Sequence, residues 1–391
     1  PIFEMAMKAG GRIGFEPVAW FNGGLFNDDA ALPLDKDDIA LTLRAAGLDW
    51  AEIDPSILGT LFERGLDPDK RSQLGAHYTS REDIKTLLKP VFEAPLRREW
   101  DAVRAKADDW FEKLRAKASG QAKGGKKKDN PRLEHDKVLT EFHDRLTHVT
   151  VLDPACGSGN FLYVALHMLL DLEKQVRLYA ADHDTTLPQA VRPTQLRGLE
   201  INEYAQQLAQ EVIWIGFLQW IENNGEVYHP DPILDPLNNI QRKDAILDLS
   251  DPENPKEPDW PDAEFIVGNP PFLGGKMLRT NLGDEYVEAM FEVWSERVRP
   301  EADLVVYWFE KARAQIEAGN AKRAGLLGTQ GIRGGANRDT LARIKDSGDI
   351  FFAVSDRDWV LDGANVHISM VGFDDGSDAQ RVLDEKSVPT I

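Results

Sequence analysis

The spacing of apolar residues changes near Val149, and the change separates two architectures. Upstream, apolar positions recur at helical intervals: Ile39, Leu43 and Ala46, then Ile57, Leu58, Leu61 and Phe62. Leu41 makes the first of these stretches partly alternating. Residues 1 to about 92 are therefore expected to be mostly helical, with loops at Asn22-Gly23-Gly24 and Leu66-Asp67-Pro68. Ser80 is placed to cap a helix opening at Arg81, and Asp83 holds the reciprocal capping-box position with a shorter carboxylate than usual. Residues 93–149 predict two charged helices. Between them, residues 118–128 have no apolar face and carry Gly124-Gly125 and four lysines, so they predict a mobile, solvated loop tip; contact with a phosphate backbone is the alternative.

From Val149 onward, short apolar strands alternate with long helical stretches, the signature of a parallel sheet covered by helices. Strands are predicted near 149–153, 195–201, 240–246, 263–268, 323–329, 350–355 and 366–373, and helices near 159–180, 202–223, 301–319 and 336–347. Seven strands in this order suit a doubly wound α/β sheet that is mostly parallel. The expected division is a helical N-terminal region over 1–148, a sheet domain over 149–375 and a lead-in to a further domain over 376–391.

Composition narrows the partners. A chain of 391 residues, 42% hydrophobic, has ample material for a core. With a single cysteine, disulfides carry nothing, and a reducing cytoplasm is the expected compartment. No apolar run reaches the roughly 18 residues of a membrane span; the longest candidate, residues 161–172, is broken by His167 and Asp171. No signal peptide precedes the first helix. The chain opens at Pro1, so an excerpt of a longer protein is expected. A net charge of −20 argues against a self-sufficient nucleic-acid binder, unless basic surface is local or lies in segments outside this chain.

Chemistry concentrates at the predicted strand ends. Val149-Thr150-Val151-Leu152 leads into Asp153-Pro154-Ala155-Cys156-Gly157-Ser158-Gly159-Asn160-Phe161. Glycines there permit a sharp strand-to-helix turn and close approach of a ligand to the backbone, and the following helix offers N–H groups to a carboxylate. No Gly-Lys-Ser/Thr follows, so this is not a phosphate loop of the P-loop kind. Glu200, before Ile201, ends the next strand, where an acid accepts from ribose hydroxyls; its distance from the glycine turn is longer than the ~20 residues usual in dinucleotide folds. Asp244, before Ala245, closes the third and is placed to accept from an adenine amino group.

Asn269-Pro270-Pro271-Phe272 follows the fourth strand, at the carboxyl edge of the sheet where ligands bind. The two prolines fix the backbone, so the Asn269 amide oxygen and the Pro270 carbonyl can aim at one point. An sp² amine donating to both would become more nucleophilic, and Phe272 can stack on its ring. A proline-rich strand exit with no function has the same composition, as an ordinary strand-end carboxylate does for Glu200 and Asp244. Together the four motifs favour a site.

With these motifs the chain resembles the class I S-adenosylmethionine-dependent DNA adenine-N6 methyltransferases of the gamma arrangement, in which the cofactor motifs precede the Asn-Pro-Pro-aromatic motif. Gly75-Ala76-His77-Tyr78-Thr79-Ser80 matches that family's N-terminal motif. Asn22-Gly23-Gly24-Leu25-Phe26-Asn27, residues 268–276 and Asp362-Gly363-Ala364-Asn365-Val366 narrow the likeness to the MmeI-like, type IIL group of fused restriction–modification enzymes. The resemblance implies a Rossmann-like fold and S-adenosylmethionine as cofactor. It implies that Tyr78 and Thr79 bind the methionine end. Asp153, Ala155, Gly157, Gly159, Asn160 and Phe161 would form the glycine motif, Glu200 with Ile201 the ribose site, and Asp244 with Ala245 the adenine side. Asn269, which also borders the cofactor, would act with Pro270, Pro271 and Phe272 as the catalytic motif. The implied partner is double-stranded DNA with a flipped adenine, and no metal or membrane is needed.

Such enzymes carry a nuclease module and a target recognition domain, both expected in the full-length chain and absent here. Asp384-Glu385-Lys386 is a lone nuclease-like match expected by chance. Cys156 sits on the wrong motif for cytosine-C5 chemistry and is read as a packing residue. Cytosine-N4 enzymes usually carry serine where this chain has Asn269. Two other readings stay open: methylation of a protein glutamine amide, and a non-catalytic cofactor-binding scaffold in a defence complex.

Overall fold

A computed structural model describes residues 11–13, 16–18, 33–48, 53–57, 79–119, 130–226, 238–361 and 364–391. The loops read at Asn22-Gly23-Gly24 and Leu66-Asp67-Pro68, the glycine- and lysine-rich stretch from 120, and Tyr78 lie outside these residues.

The N-terminal part is not all helical. Strands β1 (Gly11–Ile13) and β2 (Glu16–Val18) pair antiparallel. Gly10, Gly11 and Gly14 weaken a helix here, Pro17 would break one, and Ile13 and Val18 favour extended backbone. Helix α1 (Lys36–Ala46) follows with no buried residue. Helix α2 (Arg81–Leu88) opens where expected, with the Asp83 N–H donating to Ser80 Oγ at 3.1 Å. The box is only half formed. The short Asp83 side chain accepts from the Ser80 hydroxyl at 2.6 Å in place of the Ser80 backbone N–H.

Pro90 removes a backbone donor just beyond α2, and the chain widens into a π-turn over Lys89–Glu93 before continuing as α3 (Ala94–Ala118). This bent rod lies on the sheet: Phe92 meets Phe265 edge-on with centroids 5.4 Å apart. A Cβ on Gly325 would come within 2.5 Å of Val91, so the glycine permits the close approach of rod and strand. Helix α4 (Pro131–Thr147) runs back to the first central strand.

All seven expected strands form: β3 (Val151–Asp153), β4 (Leu196–Glu200), β5 (Ile240–Arg242), β6 (Phe265–Gly268), β7 (Arg323–Thr329), β8 (Asp349–Leu361) and β9 (Ala364–Asp374). The tail adds β10 (Val382–Leu383) and β11 (Lys386–Ser387), giving one nine-stranded sheet in the order β11-β10-β8-β9-β7-β6-β3-β4-β5. The β5-β4-β3-β6-β7 block is parallel, and β9 inserts antiparallel between β7 and β8. Expected to run to 246, β5 stops at Arg242, because the Asp244 carboxylate accepts from the N–H groups of Ile246 and Leu247 and turns the chain. Residues 384 and 385 form the positive-φ turn between β10 and β11. The Asp384 carboxylate accepts both the Ser355 N–H and hydroxyl at 2.7 Å, which gives this triplet a structural role.

Alternate strand residues face opposite cores, as a period of two requires. Val151, Phe265 and Val267 pack with α2–α4, α5 (Asn160–Asp182) and α6 (Glu203–Asn223). Leu152 and Ile266 pack on the other side with α7 (Leu278–Leu282), α8 (Asp284–Trp294), α9 (Val305–Glu317) and α10 (Arg338–Ser347). The sheet is thus covered on both faces. Helices α7 and α8 were not anticipated. Among the described residues, no helix is long and apolar enough to cross a membrane.

Candidate active site

Strand β3 delivers Asp153 to the sheet edge with 1% of its surface exposed. Its Oδ1 accepts the Ala155 N–H at 3.0 Å and braces the turn. Gly157 and Gly159 take φ of 52° and 85°, which L-residues rarely adopt. A Cβ on Gly159 would lie 3.1 Å from Ala209, so α5 can start against α6 only with glycine here. Gly157 N–H donates to Glu200 Oε2 at 2.9 Å, and Asn202 N–H to Glu200 Oε1 at 2.8 Å. These contacts join the ends of β3 and β4.

Burial pushes the Asp153 carboxyl up to about 8; the Ala155 N–H opposes the shift and the charge of Glu200 adds to it. Burial likewise raises Glu200, against the N–H donors at Asn202 and Gly157. Cys156 is buried, and its Sγ would sit 2.8 Å from a Cβ on Gly198, so it fills the space beside a strand glycine. Burial raises its thiol well above the ordinary value.

The end of β5 is gripped by aromatic donors. Tyr286 hydroxyl donates to Asp244 Oδ2 at 2.8 Å. Trp260 and Trp294 indole N–H groups donate to the carbonyls of Ala245 and Ile246 at 2.8 and 2.9 Å. Trp308 does the same for Pro154 at 3.0 Å on the facing loop. Between the two loops opens a half-open cleft. Ala155, Glu200, Ile201, Asp244, Ala245 and Pro271 line it. Tyr286, Trp308, Leu282 and Leu304 also line it, and sequence reasoning missed them. Tyr286, Val287, Met290 and Trp294 recur at helical spacing, which could have revealed α8; nothing local marks Tyr286 as facing a ligand.

Asn269 leaves β6 beside the glycine turn. Gly268 is required there, because a Cβ would lie 2.5 Å from Asp153 Oδ1. Asn269 Nδ2 donates to Oγ1 of the buried Thr79 at 3.2 Å. Asn269 Oδ1 is buried without a hydrogen-bond partner among the described residues. Pro270 is buried, and Phe272 packs against both cores. Behind Phe272, Leu304 N–H donates to the Leu273 carbonyl at 2.8 Å, and Gly275 N–H to Asp303 Oδ1 at 3.0 Å.

The donor set fits an adenosine bearing an amino-acid tail. Each Glu200 oxygen takes one N–H, which leaves acceptor capacity on the cleft wall for hydroxyl groups. Asn160, the first residue of α5, has a buried Oδ1 with no partner among the described residues, suited to an ammonium donor. The N–H groups of a first helical turn suit a carboxylate. Phe161 lies in the core beneath that turn and anchors it.

A doubly wound sheet with a glycine turn after β3, acids after β4 and β5, and an Asn-Pro-Pro-Phe loop after β6 defines a class I methyltransferase architecture. Residues 125–384 match the family described as MmeI, DNA-methyltransferase domain. The chain belongs to that family of DNA-methyltransferase domains. It is 26% identical over 341 residues to DNA methyltransferase A of Bacillus subtilis, covering 83% of this chain and 34% of that protein. It is 23% identical over 243 residues to a putative type II restriction enzyme and methyltransferase of Methanocaldococcus jannaschii, covering 56% of this chain and 20% of that one. The structure of the type IIL restriction–modification enzyme MmeI in complex with DNA superposes on the whole chain with a TM-score of 0.71 at 24% identity, using 51% of the MmeI chain. The chain therefore spans only part of each of these proteins.

Proposed function

We propose that this domain transfers a methyl group from S-adenosylmethionine to the N6 amine of an adenine in DNA. One observation carries the reading: the Asn269 amide is tethered through Nδ2 to Thr79, and its buried Oδ1 has no partner among the described residues. A buried, unpaired acceptor costs about 1–3 kcal/mol, so a site that keeps one is built for a donor that arrives with its ligand.

Asn269 Oδ1 accepts one N–H of the adenine amine and the Pro270 carbonyl the other. This draws the amine toward tetrahedral geometry and exposes its lone pair. Phe272 and Pro271 hold the base in plane. The base leaves the duplex stack to reach them. Glu200 takes the ribose hydroxyls and Asp244 the adenine amine of the cofactor, with Ala155, Ile201 and Ala245 as walls. Thr79, Asn160 and the turn at Gly157 and Gly159 face its methionine end, as Tyr78 does by resemblance. When bound, S-adenosylmethionine supplies an electrophilic methyl group whose C–S bond breaks with its electron pair retained on sulfur. The amine proton released on N–C bond formation goes to solvent. Holding nucleophile and electrophile in line provides the main acceleration, and no metal is called for. In the longer parent chain, a target recognition domain would supply DNA sequence selectivity, and a nuclease module would make the pair a restriction–modification enzyme.

Labelled-methyl transfer followed by nucleoside analysis tests this. N6-methyladenine in DNA, lost in Asn269→Ala with cofactor affinity held within a few fold, is the expected result. Label in N4-methylcytosine or in a protein glutamine, or full activity in Asn269→Ala, would overturn it.

A further inference from the structure

We infer that Tyr286 is a specificity-determining residue of the cofactor cleft: it leaves Asp244 a single open acceptor site, which selects a 6-aminopurine over a 6-oxopurine. The inference rests on the methyltransferase reading above and deepens it.

A carboxylate offers about four lone-pair directions. On Asp244, Oδ1 accepts Ile246 N–H at 2.8 Å and Leu247 N–H at 3.1 Å. Oδ2 accepts the Tyr286 hydroxyl at 2.8 Å. Among the described residues three directions are filled and one remains, on Oδ2, at the wall of the cleft that Asp244 and Tyr286 both line. That direction takes an N–H donor. A 6-oxo group placed there would set carbonyl oxygen against carboxylate oxygen.

The phenol also keeps water from the second Oδ2 site. A water bound to Oδ2 could donate onward to a 6-oxo group and so erase the discrimination. The geometry around it is stiff. Tyr286 and Trp294 lie on α8, and the Trp294 indole holds the Ile246 carbonyl at 2.9 Å, so α8 grips the acid loop at two points. Burial, and then the charge of Asp244, push the Tyr286 hydroxyl far above its ordinary range, so it remains a donor at any working pH. Sites built to pair a polar group discriminate strongly, because the wrong ligand leaves that group unpaired.

Calorimetry with S-adenosylhomocysteine and S-inosylhomocysteine on this chain tests the inference, with no turnover required. Wild type should bind the adenosine compound at least ~10-fold more tightly. Tyr286→Phe, which keeps the ring, should lower that ratio at least ~3-fold, chiefly by improving the inosine compound, with a melting temperature lowered by no more than the loss of one hydrogen bond. An unchanged ratio in Tyr286→Phe would overturn the role of Tyr286 and leave the methyltransferase reading standing, as would equal binding of the two compounds by wild type. Binding of neither compound by wild type would overturn both.

Discussion

Asn269 Nδ2 donates to Thr79 Oγ1 at 3.2 Å, although the two residues lie 190 positions apart. The contact turns Nδ2 toward the hydroxyl and leaves Oδ1 as the end that stays available. Thr79→Val keeps the shape and removes the acceptor. We expect methylation turnover to fall about 10- to 100-fold, the equivalent of losing one buried hydrogen bond of ~1–3 kcal/mol, with cofactor affinity nearly unchanged. Thr79→Ser should restore most of the rate. Single-turnover kinetics beside cofactor titration separates this role from the family expectation that Thr79 binds the methionine end. Weakened binding at an unchanged rate would assign Thr79 to the cofactor instead.

A second tether holds the segment after the catalytic motif. Asp303 N–H donates to Asn337 Oδ1 at 2.8 Å, and Asn337 Nδ2 donates back to Asp303 Oδ2 at 2.7 Å. The remaining Asp303 oxygen holds Gly275 N–H, and a Cβ on Gly275 would meet the Glu301 carbonyl at 2.4 Å. Asp303→Asn would still accept from Gly275 but would turn one amide donor against another at Asn337. We expect a turnover loss of about 10-fold with substrate KM little changed. Adding Asn337→Asp restores a donor–acceptor pair and should recover part of the rate, whereas Asn337→Asp alone sets two carboxylates together and should be the worst variant. Asn337 Nδ2 also donates to the Gly331 carbonyl at 3.1 Å, so recovery is partial; a swap no better than Asn337→Asp alone would show that the tether does not position the segment after Phe272.

The sheet was legible in the sequence because strands covered on both faces read as apolar runs, as Phe265-Ile266-Val267 does. The glycine turn was legible because few residues can take the backbone of Gly157 and Gly159. What escaped depends on contacts between distant segments. Nothing local in Ser377 to Ser387 marks a strand, because β10 exists by pairing with β8. The short β5 follows from a side-chain turn at Asp244, which overrides the apolar Ala245-Ile246-Leu247 run. Tyr286 carries no motif of its own, and only the packing of α8 brings it to the cleft. Thr79 entered the reading through a family likeness; its contact with Asn269 comes from the bent rod around Pro90 lying across β6 and β7.

The raised Asp153 carboxyl makes stability depend on pH with a definite sign. Its ordinary value is 3.8 and its folded value about 8, so the folded chain binds that proton more tightly than the unfolded chain. The stability it contributes is full below the unfolded value and is lost as pH rises through the folded one. Between pH 5 and 8 the slope from this group approaches ~1.4 kcal/mol per pH unit. Glu200 is raised by the same burial and adds in the same direction. Asp153→Asn keeps an acceptor for Ala155 N–H and cannot ionise. Urea melts across this range should show a shallower decline for the variant than for the wild type, with the Glu200 share retained. Parallel declines would mean that Asp153 is ionised in the folded chain at neutral pH.

Gly157 and Gly159 separate access from packing. Both have positive φ, so alanine at either costs roughly 1 kcal/mol of backbone strain. At Gly159 the added Cβ also meets Ala209 at 3.1 Å, in the junction of α5 with α6. At Gly157 no described residue lies within 4 Å of the added Cβ, so there the described residues leave room for it. Gly159→Ala should therefore lower the melting temperature distinctly more than Gly157→Ala. If the open space at Gly157 is the approach path of the cofactor to the backbone, the order reverses for binding: Gly157→Ala should weaken S-adenosylmethionine at least ~10-fold in a chain that melts near wild type, and Gly157→Val should abolish binding. Thermal melts and calorimetry on the same preparations decide it. Undiminished affinity in Gly157→Ala would make the turn a purely structural link between β3 and α5, with Glu200 as its brace.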